Sequence, residues 1–201
     1  AGVVVGSLLA LRQSRVKRIL AYSTISQLGV AVLGIAVATE AAVTGAVIHL
    51  VAHAVMKSGL FLAAGVIATA GGAKTVDGYA GVGRRAPVAS AAFAVAALGM
   101  IGVPPLAGFV GKWYVARGAV ESGHWAALGV VLASTLLSLT YFGRLLQRIY
   151  FESPAESPGE PTPTPPSTLV PAVVAAALTV AVAAGATAFA NYLEPALGPL
   201  V

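Results

Sequence analysis

Residues 47–65 read VIHLVAHAVMKSGLFLAAG. The run is apolar enough for lipid, yet it carries His49, His53 and Lys57. Their spacing of i, i+4 and i+8 puts all three on one helix face, each about 6 Å above the last. Ionisable side chains are expensive in hydrocarbon and are kept there only where they meet partners or water. Two imidazoles and an ammonium in a row can take up and pass on protons, a chemistry that arginine lacks because it stays protonated. The stretch therefore predicts a helix buried inside a membrane bundle, with a path for protons along one face.

The rest of the chain agrees with that environment. Of 201 residues, 58% are hydrophobic and 9% are charged, with a mean hydropathy of +0.88, whereas a soluble domain carries about 25% charged residues. The expected fold is an all-α, polytopic membrane helix bundle. Cysteine is absent, which excludes a disulfide framework and thiolate metal sites. The net charge of +5 is no nucleic-acid signature, because the basic residues fall at helix ends and loops and no basic stripe is interleaved with aromatics. The chain opens at Ala1 inside an apolar run, without the charged start of a signal peptide, and reads as a C-terminal piece of a longer protein.

Six spans are expected. Residues 1–18 read as the end of a truncated helix and a basic loop holding Arg12, Arg15, Lys17 and Arg18. The first span covers residues 19–38. Thr39 and Glu40 suit a tight turn and the next helix start, and the second span covers 41–70. A Gly-rich polar loop, 71–85, leads to Pro87 and a third span over 88–103. Pro104 and Pro105 must break the helix there, since proline lacks an N–H and clashes with the preceding turn. With Gly108, Gly111 and Lys112 they place an interruption between Gly99 and Lys112, and make 106–120 a discontinuous fourth span. Such broken helices are tolerated at membrane depth only inside protein or beside a wet cavity. The fifth span is 124–151, residues 152–168 form a Pro/Glu-rich solvated loop, and 169–193 is the last span. With six crossings, Arg117 falls on the side of the 12–18 cluster and the 71–86 loop, while Arg144 and Arg148 fall on the other. The positive-inside rule then makes the first side cytoplasmic.

Lys57 lies too deep in its helix to snorkel easily to an interface, and lysine buried in apolar surroundings is the kind of group that can titrate near neutrality. Lys112 stands beside a helix break. These two, with His49 and His53, are the candidate proton relay. Ser23, Thr24, Ser26, Gln27, Ser134, Thr135 and Ser138 either line a water path or satisfy their own helix backbone. The HxxxH pair lacks a third ligand for zinc, and axial haem ligands usually come from two helices, so neither a metal nor a cofactor is expected. Glu40, Glu121 and Glu194 all sit at span ends, leaving no carboxylate at membrane depth for a hard cation site.

Three segments, VKRILAYSTISQLG, HLVAHAVMKSGLFLAAG and GVPPLAGFVGKWYV, resemble the proton-conducting antiporter-like family, in order and over the chain to about residue 151. Its members are the large subunits of Mrp-type cation/proton antiporters and the membrane-arm subunits L, M and N of respiratory complex I. The resemblance implies a bundle of about fourteen helices with two inverted five-helix repeats, each holding a broken helix. It identifies residues 19–151 as the second repeat, followed by a last helix, with the first repeat missing. It assigns Lys57, His49 and His53 to the central relay and Lys112 to the terminal lysine of the broken helix. Lysine at 112 argues against subunit M, which carries glutamate there. The GFVGKWY form points to the D-type large subunit of a multisubunit Mrp Na⁺/H⁺ antiporter, with subunit N of NADH-quinone oxidoreductase as the alternative and a purely structural or assembly subunit as a further one. Implied partners are other membrane subunits, the missing repeat, the bilayer, H⁺ and possible Na⁺. The implied location is a prokaryotic plasma membrane, and the subunit carries no redox chemistry of its own.

Overall fold

A computed structural model describes residues 1–153 and 166–197. Eight α-helices are present among them: α1 Gly2–Leu11, α2 Val16–Val37, α3 Glu40–Gly71, α4 Val82–Arg85, α5 Pro87–Ile101, α6 Ala107–Glu121, α7 Trp125–Phe151 and α8 Pro166–Leu197. One 3₁₀ turn, Asp77–Tyr79, precedes α4. By length and composition α2, α3, α7 and α8 can each cross a membrane. The bundle is all-α, as expected.

Local chemistry explains the boundaries. Thr39 caps α3, its Oγ1 accepting from the Ala42 N–H at 3.2 Å, and Glu40 sits in the positively polarised first turn. Pro87 opens α5 at a position that needs no N–H. Gly102 closes it with φ of 95°, a left-handed conformation that glycine adopts without cost. Pro104 and Pro105, joined by a cis peptide bond, lie in the gap before α6.

Helix α3 is the centre of the bundle and packs against α2, α5, α6 and α8. Close backbone approaches show how the chain runs past it. Gly118 meets Thr39 and Ala42, Gly45 meets Val115 and Gly111, Gly111 meets His49, Gly108 meets Met56 and Gly99, and Gly59 meets Ala96. As α3 advances from 39 to 59, its neighbours descend steadily from 118 to 96. Helices α6 and α5 are therefore stacked end to end, both antiparallel to α3. Each has 15 residues, about 22 Å of helix against a hydrocarbon core of about 30 Å, so neither crosses alone. The expectation of separate third and fourth spans is corrected: they are two halves of one interrupted crossing, broken at residues 102–106, and the described residues make five crossings in place of six.

The parity change moves charges. The end of α7 meets the 77–85 segment, with Gly81 N–H donating to the Arg148 carbonyl, and Arg144 donates to the Gln13 carbonyl. Arg144 and Arg148 thus share the face of Arg12, Arg15, Lys17, Arg18, Lys74, Arg84 and Arg85. Arg117, near the end of α6, lies at the opposite face and pairs with Glu121. The expected placement of these three arginines is reversed. The last span begins at Pro166, slightly before the expected 169, and the expected Pro/Glu-rich loop falls mostly on 154–165, outside the described residues.

The main core joins Leu20, Met56, Leu60, Phe93, Met100, Tyr141, Phe142 and Leu145, which come from α2, α3, α5 and α7. Small residues let these helices approach closely, as membrane interfaces require.

Candidate functional site: a buried basic line

His49, His53 and Lys57 project from α3 into the bundle, exposed by only 1%, 6% and 7%, and Lys112 by 4%. All four lie inside protein, away from lipid. The ladder on α3 has the spacing read from the sequence, with the two imidazole centroids 6.3 Å apart.

Lys57 reaches α2. Its Nζ donates to the Leu20 carbonyl at 2.7 Å and to Ser23 Oγ. The same carbonyl accepts from the hydroxyls of Ser23, at 2.9 Å, and Thr24, at 3.0 Å. Two hydroxyls and an ammonium therefore converge on one point of the α2 backbone.

Lys112 uses the helix break. Its Nζ donates to the carbonyls of Met100 at 3.0 Å and Ile101 at 3.1 Å. These belong to the last turn of α5, whose carbonyls have no intrahelical partner and form the negative pole of the helix dipole. A cation fits that end, and the Pro-Pro interruption is what creates it at membrane depth. Gly111 then presses α6 against α3: a Cβ there would meet His49 Cβ at 2.7 Å and its Cα at 2.8 Å. That contact brings Lys112 within electrostatic reach of His49, as Lys57 is of His53.

The backbone of Gln27 on α2 lies beside the His49 ring, and its side chain lies beside the hydroxyl of Tyr141 on α7. The Gln27 side-chain amide, both His49 nitrogens, His53 Nε2, Ser134 Oγ and the Tyr141 hydroxyl are buried and make no hydrogen bond to protein. Buried polar atoms are normally satisfied by protein or ordered water, so the neighbouring Gln27, His49 and Tyr141 groups are suited to holding water between α2, α3 and α7.

The other polar candidates divide. Thr24, Thr135 and Ser138 bond to carbonyls of their own helices, Leu20, Val131 and Thr135. Ser26 pairs with Ser7 of α1 at 2.7 Å. Ser23 contacts Lys57 directly, and Gln27 and Ser134 keep free polar atoms. The carbonyls of Leu20, Met100 and Ile101 and the Tyr141 hydroxyl join the site without having been singled out from the sequence. Backbone oxygens carry no residue signature, and Tyr141 shows itself only through its position opposite Gln27.

Among the described residues, ion pairs join Arg117 to Glu121, Arg148 to Asp77 and Arg148 to Glu152, all at helix ends or loops. Neither site lysine has a carboxylate partner there. Both ammonium groups rest on neutral oxygens.

Residues 1–138 match the family model described as NADH:quinone oxidoreductase/Mrp antiporter, TM. A curated relative, NADH-quinone oxidoreductase subunit N of Desulforudis audaxviator, is 40% identical over 152 residues, covering 76% of this chain and 30% of that protein. The chain thus spans less than a third of that relative's length. A chain of the membrane-bound sulfane sulfur reductase, an archaeal respiratory membrane complex, superposes with a TM-score of 0.85 at 27% identity, over 97% of this chain and 39% of the other. A chain of the Mrp complex from Dietzia sp. DQ12-45-1b shares the fold, with a TM-score of 0.84 at 22% identity, covering 96% of this chain and 44% of that one. By the match over residues 1–138, the chain belongs to the NADH:quinone oxidoreductase/Mrp antiporter family of membrane proteins.

Proposed function

We propose that the chain is the proton-carrying second repeat, with the last helix, of a subunit N-like membrane protein in a redox-driven quinone oxidoreductase. The observation that carries this reading is the buried line Lys57–His53–His49–Lys112, which runs along α3 into the helix break with no carboxylate partner among the described residues. Groups that served only to hold helices together would be paired, since an isolated buried charge is costly.

The curated relatives weigh against the expectation of an Mrp antiporter's D-type large subunit. Those from Desulforudis, Sorangium, Parvibaculum and Rhodospirillum all carry the name NADH-quinone oxidoreductase subunit N. The Mrp likeness, at 22% identity, supports the fold alone.

In this mechanism a proton leaves the Lys57 ammonium, passes through His53 and His49 with water held near Gln27 and Tyr141, and arrives at Lys112. Lys112 then releases it toward one membrane surface. Lys112 is the neutral amine when the proton arrives and returns to it on release, while Lys57 takes up a replacement from the other side, so one proton enters and one leaves per turn. The carbonyls of Leu20, Met100 and Ile101 hold the ammonium forms in place, and rigid positioning is what a wire of such groups requires. The face crowded with Arg12, Arg15, Lys17, Arg18, Lys74, Arg84, Arg85, Arg144 and Arg148 is cytoplasmic by the positive-inside rule, in a prokaryotic plasma membrane. The remainder of the full-length protein and neighbouring membrane subunits complete the assembly.

Affinity purification of the full-length protein from its native membrane tests the assignment. Co-purification with quinone oxidoreductase subunits, and proton uptake into vesicles driven by quinone reduction, is expected. Co-purification with the small subunits of an Mrp-type antiporter, with Na⁺-dependent H⁺ release, would restore the Mrp antiporter reading.

A further inference from the structure

We propose that the pocket between the start of α2, the end of α3 and the 72–79 loop binds the headgroup of an anionic phospholipid. A cavity of about 280 Å³ opens there, lined by Arg15, Lys17, Arg18 and Lys74 on one side and by Ala64 and Ala68 of α3 on the other. That volume lies just below the roughly 300–1,000 Å³ of small-molecule pockets, room for a phosphodiester group.

The four cations are held together by the backbone. Val16 N–H donates to the Lys74 carbonyl at 3.1 Å and Val76 N–H to the Ser14 carbonyl at 2.8 Å, pinning the loop to the start of α2 as a short antiparallel bridge. The nearest loop acid, Asp77, is engaged by Arg148 at 3.2 Å. Among the described residues, none of the four lining cations forms an ion pair. Clustered cations without counterions repel one another, and an anion relieves that repulsion.

The α3 wall of the pocket is apolar. Ala64 and Ala68 belong to a membrane-spanning helix, and Phe61 lies one turn deeper on the same face, 39% exposed. A ligand with a negative head and a hydrocarbon tail matches both parts, its phosphate among the cations and its acyl chain descending past Phe61. Basic pockets between spanning helices at this membrane level suit anionic headgroups. A free phosphate would use the cations but not Phe61.

The test uses the full-length protein in its purified complex, reconstituted with phosphatidylglycerol or phosphatidylcholine bearing the same headgroup-proximal photoreactive group. After illumination the labelled peptides are mapped by mass spectrometry. The phosphatidylglycerol probe is expected to label residues 15–18 and 64–79, and the phosphatidylcholine probe to leave them unlabelled. Each basic residue near the surface is worth about fivefold in anionic-lipid affinity, so K17Q with K74Q should lower labelling by about 25-fold. The exposed side chains of Lys17 and Lys74 make these changes safe for folding, and K17R with K74R should restore labelling. Equal labelling by phosphatidylcholine, or labelling unchanged in the double glutamine variant, would overturn the proposal. Loss of labelling with excess inorganic phosphate, but not with potassium chloride of equal ionic strength, would assign the pocket to a soluble phosphate instead. Absence of labelling in an intact complex would also overturn it, by showing that a neighbouring segment covers the site.

Discussion

Replacing Lys57 by methionine separates a lysine kept for transport from one kept for architecture. The substitution removes two hydrogen bonds, to the Leu20 carbonyl and to Ser23 Oγ, each worth about 1.5–3 kcal/mol for a charged donor. It also removes the desolvation cost of a buried ammonium, several kcal/mol after relaxation. No acceptor is orphaned, because the Leu20 carbonyl keeps the Ser23 and Thr24 hydroxyls. Even whole buried ion pairs, replaced by apolar side chains of like volume, give at most about 1–4 kcal/mol of net stabilisation, so the balance for one ammonium on neutral oxygens lies near zero. At about 2–4 °C per kcal/mol for a chain of this size, K57M should leave the thermal midpoint of the assembled complex unchanged or a few degrees higher. Lys57→Ala, by contrast, opens a cavity and should cost about 2–5 kcal/mol. Both variants should lose proton translocation in vesicles, measured by quenching of an internal pH-sensitive dye during quinone reduction. If K57M fails to assemble or melts well below the wild type, Lys57 is an anchor between α2 and α3 and the transport reading loses its main support.

Further outcomes follow from the packing. Gly111→Ala places a methyl group 2.7 Å from His49 Cβ; overpacking of this kind costs about 1–3 kcal/mol, so a blue native gel should show reduced assembly, and the assembled fraction should pump more slowly because Lys112 is pushed from His49. The five-crossing topology puts Lys74 and Gly123 on opposite faces. A membrane-impermeant maleimide applied to sealed right-side-out vesicles should label Gly123→Cys and spare Lys74→Cys; the reverse pattern would invert the orientation, and labelling of both would break the topology.

Much of this is legible from residue spacing alone. The i, i+4, i+8 ladder on α3 and the Pro-Pro break before Lys112 follow from helix geometry and from proline's missing donor, and the structure has both. The interrupted crossing is harder. Two apolar 15-residue runs joined by residues 102–106 can fold back as a hairpin or continue in one direction, and local sequence is compatible with either. The choice is made by α3, along which glycines set a descending register, and hydropathy holds no information about that register. One miscounted crossing then displaces Arg117, Arg144 and Arg148 to the wrong faces, since orientation alternates with each span. The polar side chains show the same limit: Thr24, Thr135 and Ser138 turn back to their own helices while Ser23 reaches Lys57, a division set by helix rotation rather than residue type.

The central claim is that Lys112 carries a proton rather than a fixed charge. Arginine at 112 would still cap the Met100 and Ile101 carbonyls, keeping the cation at the end of α5, but it does not release a proton in this environment. Proton translocation by the full-length complex carrying K112R, normalised to complex shown to be intact by its subunit content and quinone reductase activity, is the direct measurement. Normal assembly with translocation reduced at least about tenfold is expected. Wild-type translocation by an intact K112R complex would contradict the account and leave Lys112 as a static partner of the helix break.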